Sequence, residues 1–119
     1  MNLNPTDFKN HLSKGNNMEN ITRLSTTEVE QILLGIPENH KHCRLMIKTN
    51  QNQTFIFSEA LVAAIVRSYV SVKTHPTRRA IKMAQKIIAK PKDDFATYQL
   101  IETTTNDSDI QFELSRYID

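Results

Sequence analysis

The sequence predicts an α+β domain: two β-hairpins forming a mainly antiparallel sheet, packed with about three helices in the order α-β-β-α-α-β-β. Three observations carry this. Two stretches, residues 43–57 and 98–114, alternate apolar and polar side chains on either side of a polar link. Residues 60–66 (ALVAAIV) form the most apolar run of the chain, directly after a capping Ser58. Residues 78–90 repeat a basic side chain every fourth position.

The chain has 119 residues, enough for one small domain and a tail. The first 20 residues hold six Asn, one Pro and one Gly and no apolar period. They read as a loosely attached tail, with the domain over 21–119. The first helix is expected in LSTTEVEQILLGIP. Ser25 and Glu28 have capping-box spacing, and Leu24 and Val29 can staple the first turn. Val29, Ile32 and Leu33 would share a face, Gly35 would terminate the helix, and Pro37 would stop its continuation.

Cys43, Leu45 and Ile47 alternate with Arg44, Met46 and Lys48, and Phe55 and Phe57 flank Ile56. The intervening Thr49–Gln53 run lacks Asn-Gly, so a loop longer than two residues is expected. Ser58 then caps a helix with Glu59 at its positive end. That helix is apolar on most sides and reads as the central buried element. Pro76 suits the first turn of a third helix over 76–89, which Pro91 ends. The last hairpin pairs Tyr98–Glu102 with Ile110–Leu114 across the turn-rich TTNDSD link.

Charge is the most informative feature for function. The net charge is only +2, yet residues 60–92 hold eight basic side chains and no acidic one. The seven other basic residues and all 13 acidic ones lie elsewhere. Such asymmetry speaks about partners rather than fold. On a helix, Arg78, Lys82, Lys86 and Lys90 form one ridge with Arg79 beside it, opposite Ile81, Met83, Ala84 and Ile87. Neighbouring like charges at this spacing cost a few tenths of a kcal/mol each.

Three readings of the ridge follow. The first is a small non-enzymatic nucleic-acid-associated or regulatory protein, with Arg78, Arg79, Lys82, Lys86 and Lys90 on phosphate. The second is a protein-interaction module, a homodimer or an adaptor that turns the ridge to an acidic partner. The third is a solvated face balanced by Glu102, Asp107, Asp109 and Glu113. Helix 60–73, Thr74–Pro76 and helix 77–90 have helix-turn-helix proportions, but His-Pro occupies the turn. Gln85 is the only amide on the third helix, so backbone contact is favoured over base reading. Phe55 and Phe57 share a strand face, where core packing is the simpler role than base stacking.

Catalytic chemistry has little support. His40, His42 and Cys43 form the only metal-like cluster, and no second Cys/His pair has a useful spacing, so no metal or cofactor is expected. His42 and Cys43 are adjacent on an alternating strand and point apart, which does not activate the thiol. Phosphate-loop, GxSxG and HExxH motifs do not occur, and Asp93–Asp94 reads as a solvated turn. One cysteine excludes an internal disulfide and suits a reducing compartment. No secretory leader pattern opens the chain, and the apolar run is too short to span a bilayer, so a cytoplasmic protein without membrane association is expected.

Overall fold

A computed structural model describes residues 20–88 and 98–118 of the chain. The observed order is β-β-β-α-β-β-α. The elements are β1 (Val29–Gly35), β2 (Arg44–Thr49), β3 (Thr54–Ser58), α1 (Glu59–Thr74), β4 (Met83–Ile87), β5 (Tyr98–Glu102) and α2 (Asp107–Ser115). The α+β class holds, with two antiparallel sheets, β1-β2-β3 and β4-β5, and two helices among the described residues. The N-terminal tail expected over 1–20 lies outside the described residues except for an exposed Asn20.

The expected first helix is instead strand β1. Its local cap signal is real but starts a turn. The Glu28 N–H donates to Ser25 O (3.1 Å), and the Ser25 N–H donates back to Glu28 Oε1 (2.8 Å). Hydrogen bonds from the Ser25 hydroxyl, the Ser25 backbone and the Thr27 hydroxyl hold the Glu28 carboxyl below its ordinary value of 4.5. Their help to this turn is present above that ordinary value and is lost as pH falls through the lowered one. Beyond the turn, β2 decides. Ile32 lies opposite Ile47, Leu33 opposite Met46 and Leu34 opposite Leu45, so a non-local partner turns an ambiguous apolar run into a strand.

The β2–β3 hairpin sets Leu45 opposite Phe57 and Ile47 opposite Phe55. Its loop closes through the Thr49 N–H donating to Gln53 O (2.9 Å). Asn52 takes φ 61° there and Asn39 takes φ 66° in the preceding turn. A chain with two glycines hands these left-handed positions to asparagine. Phe55 and Phe57 are half-buried while Ile56 between them is 65% exposed, which puts α1 on the phenylalanine face.

α1 begins at Ser58, whose hydroxyl accepts from the Leu61 N–H (3.3 Å). It packs on β2 and β3 and reaches β5. Ala64 is its buried contact, at 4% exposure. The opposite face, Ile65, Val66, Tyr69 and Val70, is exposed, so this helix is not the enclosed centre that its composition suggests.

In place of the expected third helix, the chain runs through bends and irregular backbone to Lys82 and then into strand β4, and β4 takes the place of Ile110–Leu114 as the partner of β5. Like charges four apart sit about 6 Å apart on a helix but about 13 Å apart on an extended chain. Leaving the helix thus relieves the repulsion that the basic period imposes on it. Residues 107–115 become α2 because Asn106 caps them, its side chain accepting from the Asp109 N–H (2.9 Å). The turn-like NDSD is a helix start. α2 rests Ile110 and Leu114 near Ile81 and Met83, and the Arg23 guanidinium donates to Tyr117 O (2.9 Å) beyond its end.

Among the described residues, Ile110 is the one large apolar side chain that is buried, at 6% exposure. Ile110→Ala is expected to cost about 2 kcal/mol, the lower end of the range for such truncations because the surrounding core is thin. Phe112→Ala, at a 71% exposed position, should stay within about 0.5 kcal/mol. Urea unfolding of both variants checks this.

Candidate functional site

The basic residues singled out above do not form one surface. Arg78 is tied down twice. Its guanidinium donates to Ser71 Oγ of α1 (2.8 Å) and forms an ion pair with Glu102 of β5. Lys82 Nζ meets Glu113 Oε1 of α2 at 3.2 Å. The Arg79 backbone N–H donates to Asp107 Oδ2 (2.6 Å), while its side chain is exposed and has no partner among the described residues. Lys86 lies on β4 opposite Gln99 and is likewise exposed. Lys90 lies outside the described residues.

Segment 78–82 therefore works as a clamp. Arg78 and Lys82, with the Arg79 N–H, draw α1, β5 and α2 together around Ala80, which is 4% exposed. The Thr103 N–H donating to Lys82 O (2.8 Å) extends the β4–β5 pairing into this clamp. Three acidic residues that the sequence offered as counter-charges, Glu102, Asp107 and Glu113, all reach it.

A separate recess lies elsewhere. An open groove of about 730 Å³ runs between the start of α1 and the β4–β5 hairpin, with Arg44, Arg67, His42, Gln85, Tyr98 and Gln99 among its walls. Glu59 in the first turn of α1 fixes one rim. Its Oε1 accepts from the Cys43 N–H (2.6 Å) and lies 3.4 Å from His42 Nδ1. Arg44 donates to His42 O (3.2 Å) and Cys43 O (3.0 Å). No sequence pattern marks this groove, because Arg44, Arg67 and Gln99 come from three separate elements with no shared spacing.

His40 does not join His42: its Nδ1 lies 2.9 Å from Glu38 O in its own turn. Cys43 is a half-buried free thiol. Among the described residues, no three His, Cys, Asp or Glu side chains converge as metal ligands would, and no helix is long and apolar enough to cross a membrane.

Much of the surface of the described residues is apolar. Seventeen large hydrophobic side chains of the described residues are exposed, against three buried apolar ones, two of which are alanines. Single exposed apolar residues are ordinary. Here they run together along elements: Ile32, Leu33, Leu34 and Ile36 on and after β1, and Ile65, Val66, Tyr69 and Val70 on α1. No protein-family model, no curated protein and no solved structure matches this chain.

The clamp's two ion pairs should differ in strength. In a double-mutant cycle, Arg78→Ala with Glu102→Ala should give a coupling of about 0.5–1 kcal/mol, because the guanidinium is largely covered. Lys82→Ala with Glu113→Ala, an open pair, should give less than about 0.5 kcal/mol. Chemical denaturation of the four single and two double variants reads both.

Proposed function

We propose that this chain is a protein-interaction module whose apolar surface is completed by a partner. The carrying observation is the exposure of β1 and α1, with Ile32 and Leu34 each 62% exposed and Tyr69 64% exposed. Magnitudes favour this surface over the charged one. Full burial of a Leu or Ile contributes about 1.5–3 kcal/mol, so covering roughly ten half-exposed side chains contributes on the order of 10 kcal/mol. That is comparable with the cost of association, whereas exposed ion pairs contribute less than about 1 kcal/mol each.

A photo-crosslinking amino acid placed at Tyr69 or Ile32 in growing cells tests this. Discrete covalent protein adducts, missing when the same group replaces Gln51 in the polar hairpin loop, are expected. Adduct-free chain at both positions would contradict the reading.

A second reading is that the chain contacts nucleic-acid phosphate. Its support is the exposure of Arg67, Arg79 and Lys86, which have no ion pair among the described residues. These contacts would read charge rather than sequence. Fluorescence anisotropy with random-sequence DNA and RNA checks it. Three phosphate contacts predict a log–log salt slope of roughly −2 to −3, abolished by Arg67→Glu/Arg79→Glu/Lys86→Glu. Binding absent at low salt would contradict it.

A further inference from the structure

We propose that β1 pairs with β1 of a second copy of this chain, antiparallel about a twofold axis at Leu33, joining two three-stranded sheets into one of six. This rests on the interaction reading above and names its partner. β1 ends the sheet order β1-β2-β3, and no strand among the described residues lies on its outer side. Half of its backbone N–H and C=O groups therefore face away from β2, and an extended strand is the partner that satisfies such a row.

The strand lacks the usual blocks to edge pairing. Val29–Gly35 contains no Lys and no Pro, and its irregularity falls between Val29 and Gln31, leaving Gln31–Gly35 regular. No charge occurs from Gln31 to Ile36, so an acidic or basic partner strand finds nothing to read there. The same residues in reverse are a good match. Centring on Leu33 sets Leu33 against Leu33, Ile32 against Leu34 and Gln31 against Gly35. Centring on Ile32 would set Leu34 against Glu30 and draw in the irregular end. Centring on Leu34 would leave only Leu33–Gly35 within the strand. A twofold axis normal to the sheet also keeps faces aligned. Ile32 and Leu34 share a face with their partners Ile47 and Leu45, so one apolar face would run through both copies.

Sedimentation velocity of the full chain from micromolar to submillimolar concentration tests this, with Leu33→Lys in parallel. A dimer is expected, and Leu33→Lys should raise its dissociation constant about tenfold or more. Leu33 is 47% exposed in the single chain, so a lysine there is sterically tolerated. Circular dichroism confirms folding, and Leu33→Thr keeps strand propensity as a second variant. Cys43→Ser/Leu33→Cys should close a disulfide across the axis on oxidation. Cys43→Ser/Ile36→Cys should not, because its thiols would lie about 20 Å apart. A chain that stays monomeric overturns the pairing, including one whose β1 amides resist exchange because its own tail covers them. So does a dimer that ignores Leu33→Lys and forms no bridge at position 33. That dimer, or a monomer that forms photo-adducts with other proteins, leaves the interaction reading standing; a monomer without adducts removes both.

Discussion

Pairing of β2 with neighbours on both sides is the interaction on which the rest of this structure depends. Arg44–Thr49 is the one strand hydrogen-bonded along both edges among the described residues. It holds β1 extended, it sets Leu45 and Ile47 against Phe57 and Phe55, and it provides the floor on which α1 rests. Thr49 closes this strand as a buried polar residue whose hydroxyl donates to Gln53 O and accepts from the Gln51 and Gln53 N–H groups.

The elements legible in the sequence are those whose signal is local. Ser58 and Glu59 announce α1, and the alternation around Leu45–Ile47 and Phe55–Phe57 announces the hairpin. The elements misread are those whose state is set by distant residues. Val29–Gly35 carries a helix-like spacing and a genuine Ser25–Glu28 box, yet Met46 and Ile47 pull it into a sheet. Residues 83–87 look helical by their four-residue charge period, yet Tyr98–Glu102 supplies a strand partner. Ile110, Phe112 and Leu114 alternate as a strand does, yet the Asn106 cap starts a helix that buries Ile110 and leaves Phe112 exposed. Of the candidate site, the basic residues were legible as a cluster of charge. Their separation into clamp members, Arg78 and Lys82, and open side chains, Arg79 and Lys86, depends on tertiary contacts.

That separation changes the weight of the charge. The basic run is in part internal architecture, since it gathers α1, β5 and α2 around Ala80 and Ile110. The core so formed is small, and the surface left over is apolar along β1 and the outer side of α1. These faces meet water at a hydrophobic cost, and the side of β1 away from β2 has no strand partner among the described residues. On the proposed β1 pairing a second copy covers that edge, and association and folding then become parts of one equilibrium.

Thermal unfolding of the full chain across a hundredfold range of concentration tests that coupling most directly. If folding is completed by self-association, the midpoint rises with concentration by roughly 5 °C over that range. A midpoint that stays fixed, with one cooperative transition, would contradict it and make the single chain complete as it stands.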